Sequence, residues 1–277
     1  MTTSEQIERE LTSIISRYHD KVHSELQDRW NNWNIDLEKK EIKEVVCGIL
    51  SRQVSIVINY SSSPNLWNGD MAPIILRCMA DNYINLAWIL KGPEERSRKF
   101  ILHGLGQAKL AMEHRKKQLK NDGHDPEGDS FIRTTEMWIN AQRHTFLTEV
   151  NLGSWSELNT RKMAEEAGCI DFYNLVYQPF STASHNMWNH ISRYNLIPSD
   201  NPLHMFLMKP IVVQHDPELE YLELGAKYLS KMFKLFDETF NHFSKDQSSF
   251  KLLSSELNRI FNELNKDDSS TTNTGRN

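Results

Sequence analysis

The sequence has few cysteines, and they follow no pattern. Cys47, Cys78 and Cys169 lie far apart among 277 residues and form no CxxC pair. An odd number of unpatterned cysteines argues against a disulfide framework and for reduced thiols in the cytosol. The N-terminus is polar and acidic, so it predicts neither a secretory signal nor a transit peptide. We therefore expect a cytoplasmic protein.

Long apolar runs and a dominant charge sign are also missing. The most apolar stretch, 72–90, contains Arg77 and Asp81, and no uncharged run reaches the roughly 20 residues that span a bilayer. We therefore expect no membrane partner. The net charge of −5 gives no general attraction to nucleic acid or anionic lipid, although a local basic segment can still provide one.

Glycine-rich phosphate loops and strand patterns are scarce as well. None of the 11 glycines belongs to a P-loop or a dinucleotide fingerprint, so we expect no cofactor. The sequence GSWSE at 153–157 lacks the second glycine and the preceding strand of a nucleophile elbow. The least helical stretch is 197–215, where three prolines and two apolar runs favour short strands or an extended crossing.

Most of the chain shows the periodicity of amphipathic helices. We predict an all-α, single-domain bundle of about eight helices over residues 1–264, followed by a disordered tail over 265–277. Caps, prolines and glycines bound the predicted helices, which cover roughly 4–29, 36–60, 72–90, 94–120, 130–150, 156–167, 172–196 with a break or kink at Pro179, 218–243 and 248–264.

A polar stripe crosses the most apolar of these predicted helices. Arg77, Asp81 and Asn85 recur every four residues within APIILRCMADNYINLAWIL, so they share one face. Burying an unpaired charge is costly, because neither water nor a counter-charge then solvates it. This face therefore needs a pairing partner or a functional role.

A second polar stripe follows about a hundred residues later. Tyr177, Ser181, His185 and Asn189 also recur every four residues, provided that Pro179 only kinks the helix. If Pro179 instead starts a new helix, Tyr177 leaves the set and the other three stay together. Large apolar residues surround the stripe, as expected for a buried helix.

The two stripes would form a polar site if they faced each other. Arg77 would hold an anionic group, His185 would act as acid or base, and Asp81 would orient either of them. Tyr177 and Ser181 would add a phenol and a hydroxyl. The same residues also fit a bonded network without catalysis, in which Arg77 pairs with Asp81 and His185 bonds a hydroxyl.

The segment from 45 to 195 resembles a bacterial family known only as a domain of unknown function. The resemblance rests on RCMADNYINLAWIL, on the basic helix that follows it, and on YQPFSTASH. Members tend to carry Arg followed four residues later by an acidic residue, and a later Tyr-x3-Ser-x3-His motif. Arg77, Asp81, Tyr177, Ser181 and His185 match, with Asp where Glu is commoner. The family has no agreed activity.

The helical pattern is also similar to that of HEPN proteins, many of which are metal-independent ribonucleases of toxin and antiphage systems. This resemblance implies a HEPN-like core, RNA as substrate, no metal, and a homodimer or a partner protein from the same operon. HEPN nucleases typically carry Arg and His four to six residues apart, as Arg98 and His103 do here. Lys99 departs from the usual polar residue after Arg, and an ordinary partly exposed helix is the favoured interpretation of the pair.

A basic segment ends the predicted fourth helix. Arg115, Lys116, Lys117 and Lys120 could bind phosphates of a nucleic acid. No aromatic residue is interleaved with them to stack on bases. Cations at a helix C-terminus also suit the helix dipole, so a solvated helix end is the other interpretation.

Two histidines on the first predicted helix have the spacing of metal ligands. His19 and His23 lie four residues apart, but Asp20 replaces the glutamate of H-E-x-x-H and no third ligand is evident. We therefore predict no metal site.

Two functions follow as hypotheses. The first is a metal-independent ribonuclease of a toxin or antiphage system, with its site at Arg77, Asp81, Tyr177, Ser181 and His185. The second is a non-enzymatic helical binding or sensor module whose polar network fixes the helix register. A cluster open to solvent favours the first function, and a closed, fully bonded cluster favours the second.

Overall fold

The computed structural model describes residues 3–34, 36–141, 155–243 and 247–271. Within these residues the secondary structure is helical except for one small hairpin, which confirms the predicted all-α class. The helices are α1 (Thr3–Asn32), α2 (Lys40–Ser61), α3 (Ala72–Ile89), α4 (Pro93–Asn121), α5 (Ser130–Ala141), α6 (Thr160–Ala167), α7 (Ile170–Phe172), α8 (Gln178–Ser184), α9 (Trp188–Tyr194), α10 (Leu219–Phe240) and α11 (Ser249–Thr271).

The chain divides into two compact units, and neither is continuous in sequence. The first unit comprises Met1–Asn34, Cys47–Ile84 and Cys169–Asn277. The second comprises Ile35–Val46 and Asn85–Gly168. Two of the boundaries fall within α2 and α3, where no linker-like composition marks them in the sequence.

In the first unit, long amphipathic helices bury a shared apolar core. α10 shows the pattern clearly, because its buried residues recur every three or four positions. They include Leu222, Ala226, Leu229, Phe233 and Phe236. Helix α11 packs against both α1 and α10. The helices of this unit are therefore held by tertiary burial more than by local propensity.

In the second unit, α4 and α5 form a helical hairpin. Met112 and Leu119 on α4 and Ile132 on α5 form a small buried cluster between them. The predicted extension of this helix to residue 150 lies outside the described residues, because α5 is described only to Ala141. Of the sequence 153–157, residues 153 and 154 also lie outside them.

The region around Pro179 departs from a regular α-helix. Residues 173–177 form a π-helical turn, in which the N–H of Gln178 donates to the carbonyl of Tyr173. Pro179 then lies in the first turn of α8, where its missing N–H costs least. A widened turn is a common way for a helix to absorb such an interruption.

The predicted stripe ends earlier than its spacing suggests. α8 stops at Ser184, and Asn186 adopts φ +51°, in the left-handed region that asparagine tolerates better than most residues. The extended backbone of Met187 then leads into α9. The extension of the stripe to Asn189 was therefore wrong, because Asn189 belongs to a separate helix.

Two further boundaries differ in length or kind. α11 continues to Thr271, seven residues beyond the predicted end at 264, and residues 272–277 of the predicted tail lie outside the described residues. Short strands were one of the two expectations for 197–215. They are β1 (Leu196–Pro198) and β2 (Met208–Pro210), an antiparallel pair in which Ile197 lies opposite Lys209.

A buried ion pair fastens α1 to α10. Arg29 is only 4% exposed, and its Nε and Nη2 donate to the two carboxylate oxygens of Asp237 at 2.9 and 2.6 Å. Its Nη1 donates to the carbonyl of Glu25 at 2.9 Å, and its guanidinium lies 4.1 Å from the centre of the Phe233 ring. This bonding satisfies a charge that could not otherwise be buried.

Replacement of Asp237 by Ala should lower the free energy of unfolding by about 3 kcal/mol, because Arg29 then loses its counter-charge within the core. Urea denaturation measures the change. Glu238→Ala is the matched control on the same helix, since the exposed side chain of Glu238 pairs with an exposed lysine, Lys234, at 3.6 Å. The control should change the free energy of unfolding by less than about 1 kcal/mol. Equal effects would contradict the prediction.

Candidate functional site

The two polar stripes meet in the first unit. Arg77 is 8% exposed within the apolar face of α3. Its Nη1 pairs with the carboxylate of Asp81 one turn later, and its Nε donates to the hydroxyl of Ser181 at 2.7 Å. The predicted juxtaposition of α3 with the Tyr177–Ser181 segment is thus confirmed by a contact between residues 104 positions apart.

Tyr177 and Ser181 complete the surroundings of the guanidinium. The Arg77 guanidinium carbon lies 3.2 Å from the centre of the Tyr177 ring, a stacked cation–π contact. The Ser181 hydroxyl accepts from Arg77 and donates to the backbone carbonyl of Tyr177 at 2.7 Å. The π-helical turn and α8 therefore position both side chains against the same arginine.

One end of the Arg77 guanidinium remains available. An arginine carries five N–H groups, and the contacts of Arg77 engage Nε and Nη1. Among the described residues Nη2 has no hydrogen-bond acceptor, and it does not belong to the buried side-chain atoms that lack a partner. Nη2 is therefore in contact with solvent, although Arg77 as a whole is only 8% exposed.

Asp81 lies at the rim of the cluster. Its side chain is 40% exposed, against 10% for that of Arg77. Burial nevertheless raises the pKa of the Asp81 carboxyl above its ordinary value. The charge of Arg77, hydrogen bonds from Arg77 and Tyr177, and the charge of His185 act in the opposite direction without cancelling the effect of burial on the pKa.

His185 is exposed at the end of α8. Its backbone N–H donates to the carbonyl of Ser181 at 3.0 Å, and it interacts electrostatically with Asp81. The cluster thus combines an anchored cation, a carboxyl of raised pKa and a solvent-facing imidazole. These groups can bind an anion and exchange protons with it.

Arg98 and His103 are placed on α4, in the second unit. Arg98 is exposed and His103 is half-buried. Five residues along an α-helix correspond to a rotation of about 140°, so the two side chains leave α4 in different directions. No hydrogen bond joins them in the described part of the chain. Their assignment as a catalytic pair stays a prediction.

Acidic neighbours offset the basic segment of α4. Arg115 binds Asp129 through Nη2 at 2.9 Å and through Nε at 3.2 Å, while Lys116 pairs with Glu113 at 3.1 Å. The four cationic side chains from 115 to 120 are followed by four carboxylates from 122 to 129. Lys117 and Lys120 are exposed. The carboxylates of the following loop reduce the net positive charge of this region. Nucleic-acid binding by the basic segment stays a prediction.

Asp129 also has a structural role. Its Oδ1 accepts from the N–H of Ile132 at 3.1 Å, so it caps the start of α5. This backbone bond and Arg115 lower the pKa of the Asp129 carboxyl. Arg115 therefore helps to hold the α4–α5 hairpin.

Within the described residues, no group of three His, Cys, Asp or Glu side chains could hold a metal ion. His19 instead bonds the hydroxyl of Ser61 through Nε2 at 2.7 Å. No helix of the described chain combines the length and the apolar composition that a bilayer crossing requires.

A contact that the sequence analysis did not single out lies close in sequence to both stripes. His190 on α9 bonds Asp70, which precedes α3, with Nε2 2.9 Å from Oδ1. Neither residue belongs to a repeated polar pattern. The only sequence signals were the position of His190 next to Asn189 and the presence of Asp70 in a turn-rich loop, and neither identifies a partner.

The ionisation of Asp81 offers a direct test of the cluster. In a ¹³C NMR titration, we expect its carboxyl to show a raised pKa, and Arg77→Met should raise the pKa further because the nearby positive charge is lost. Arg98→Met, at an exposed arginine of the other unit, should leave the pKa of Asp81 unchanged. A fall in the pKa of Asp81 upon Arg77→Met would refute the proposed pairing.

His19 should make the free energy of unfolding depend on pH. Burial, with a smaller effect of His23, lowers the pKa of His19 below its ordinary 6.5, so the unfolded chain binds the proton more readily. The resulting stabilisation is complete above about pH 6.5 and is lost as the pH falls through the folded-state pKa. Urea denaturation at pH 7.5 and 5.5 should show a smaller loss for His19→Gln than for the wild type. The same loss in both proteins would exclude this contribution.

Comparison with known proteins gives a family and no activity. A protein-family model described as a family of unknown function, DUF5677, matches residues 43–202, which is more than half of the chain. This range includes Arg77, Asp81, Tyr177, Ser181 and His185, which together form the Arg77 cluster. No curated protein and no solved structure shows significant similarity to the chain. The chain therefore belongs to DUF5677, a family of unknown function.

Proposed function

We propose that the Arg77 cluster is the active site of a metal-independent ribonuclease of a bacterial toxin or antiphage system. The observation that carries the proposal is the solvent contact of Arg77 Nη2, held beside a carboxyl of raised pKa and an exposed imidazole. RNA as the substrate comes from the HEPN-like helical pattern of the sequence. The cluster itself supports anion binding and proton transfer, whereas the choice of RNA rests on the resemblance.

Cleavage would proceed by attack of a ribose 2′-hydroxyl on the adjacent phosphate. The bond between phosphorus and the 2′-oxygen forms, and the bond to the 5′-oxygen breaks, leaving a cyclic 2′,3′-phosphate and a 5′-hydroxyl. One proton leaves the 2′-hydroxyl and one is delivered to the 5′-oxygen, so no water or metal is consumed. Two N–H groups of Arg77 would stabilise the additional negative charge on the phosphate.

The rigidity of the arginine favours this role. Asp81, Ser181 and Tyr177 fix the guanidinium on three sides, so it is oriented before a substrate arrives. Preorganised donors stabilise developing charge without reorganising during the reaction. His185 would transfer a proton, and Asp81, with its raised pKa, would share or orient that proton.

A second function has support in the same burial of Arg77. An arginine that is enclosed and bonded on three sides also serves to fix the register of two helices. The cluster would then bind a small anion at Nη2, or act as the core of a sensor module, without breaking a bond. Catalysis distinguishes the two functions.

Cleavage of RNA by the purified protein in the presence of EDTA tests the first function. His185→Ala should reduce the rate at least a hundredfold, as expected for loss of a general acid or base. Arg77→Ala should also inactivate the protein, with circular dichroism used to confirm that it remains folded. His114→Ala, which removes an exposed histidine of α4, is the matched control and should cleave at the wild-type rate.

Expression in a bacterium extends the test to the cell. The wild type should degrade RNA or arrest growth, either at rest or during phage challenge, and the two site variants should not. Arg98→Ala and His103→Ala form a separate arm, because their inactivation would move the site to α4. Intact RNA and normal growth with the wild type under both conditions would reject the ribonuclease and favour the binding module.

A further inference from the structure

We infer that the Asp70–His190 pair is a second proton-transfer group of this site, with Asp70 as the positioning residue and His190 as the base. The inference rests on the proposed function and deepens it, because phosphodiester cleavage needs one group to accept a proton and another to deliver one. His185 and Asp81 supply one such group. His190 supplies the other.

The imidazole of His190 is oriented by a carboxylate. Its Nε2 lies 2.9 Å from Oδ1 of Asp70, and the residue is 9% exposed. Asp70 is itself held in a turn, because Oδ1 of Asn68 accepts from the backbone N–H groups of Asp70 and Met71 at 3.1 and 3.0 Å. The carboxylate therefore approaches the ring from a fixed direction.

The other ring nitrogen of His190 reaches solvent. Among the described residues Nδ1 has no hydrogen-bond partner, yet it does not belong to the buried side-chain atoms that lack one. In the neutral ring, donation of Nε2–H to Asp70 leaves the lone pair on Nδ1. A carboxylate on one nitrogen and an open lone pair on the other are the arrangement of an oriented general base.

Ring packing against Tyr194 holds the His190 imidazole in place. The Tyr194 ring lies 4.8 Å from that of His190, and His215 packs edge-on against Tyr194 at 5.6 Å. The Tyr194 hydroxyl is pressed against Gly69, where an added Cβ would lie only 2.1 Å from the oxygen. Position 69 therefore requires glycine. The loop that carries Asp70 is packed directly against Tyr194, whose ring contacts His190.

The two groups contact the chain at neighbouring positions, one just before α3 and one within it. Asp70 precedes α3 by two residues, and Arg77 follows seven residues after Asp70, about 10 Å along a helical path. His190 bonds at the first of these positions and Ser181 at the second. The Asp70–His190 pair is therefore about two helical turns from Arg77 along the chain, and we assign both to one site.

NMR of the histidine side chains tests the orientation independently of activity. A ¹H–¹⁵N spectrum of the neutral wild-type protein should show His190 with its proton on Nε2. Asp70→Asn should shift part of the ring proton from Nε2 to Nδ1, because the carboxylate that accepts from Nε2–H is lost. A proton on Nδ1 in the wild type, or an unchanged distribution of the ring proton upon Asp70→Asn, would overturn the inference.

RNA cleavage tests the role. His190→Gln should reduce kcat at least a hundredfold with little change in KM, and Asp70→Asn should reduce kcat at least tenfold, since both leave the Arg77 anion site intact. Asn189→Ala, at the exposed neighbour on α9, should retain wild-type kcat. If His190→Gln does not fold, Asp70→Asn and the NMR measurement decide.

The possible failures are distinguishable. A wild type that cleaves RNA while His190→Gln retains its full kcat overturns this inference and leaves the proposed function standing. A wild type that cleaves no RNA overturns the proposed function together with the catalytic role of His190. Loss of kcat in His190→Gln and in Asp70→Asn, with normal kcat in Asn189→Ala, supports both.

Discussion

The burial of the Arg77 guanidinium is the constraint on which the arrangement of the candidate site depends. A cation in an apolar helix is tolerated only when its surroundings replace the water that it loses. Asp81 provides the counter-charge, the Ser181 hydroxyl provides an acceptor, and the Tyr177 ring covers one face. Since two of these groups come from the segment 177–181, satisfying the arginine also fixes that segment against α3.

The chain that follows this segment has a second polar contact, just before α3, where His190 bonds Asp70. Two polar contacts thus fasten a short, irregular chain path that consists of a π-helical turn, two helices of seven residues and an intervening asparagine at positive φ. Short helices are unstable by themselves, because nucleation costs free energy and only a few backbone hydrogen bonds offset that cost. The polar contacts therefore have a structural role as well as the chemical one proposed for them.

Prediction from the sequence succeeded where the signal was local and periodic. The spacing of Arg77 and Asp81 identified a polar face on an apolar helix, and the spacing of Tyr177 and Ser181 identified its partner. The same reasoning failed at Asn189, since a regular four-residue spacing assumes a continuous helix and Asn186 ends it. The spacing of basic residues on α4 did not reveal their ion pairs with acidic residues. Arg115, for example, pairs with Asp129 in the following loop.

The sequence by itself determined the all-α class and the polar positions Arg77, Asp81, Tyr177 and Ser181, because helical periodicity is a property of neighbouring positions. Tertiary structure alone decided that Arg77 keeps Nη2 open to solvent and that His190 bonds Asp70, 120 residues away. Neither fact has a local signal. A hydrogen bond between distant residues depends on the path of all the chain between them, and here that path includes a π-helical turn and a left-handed asparagine that periodicity does not reveal.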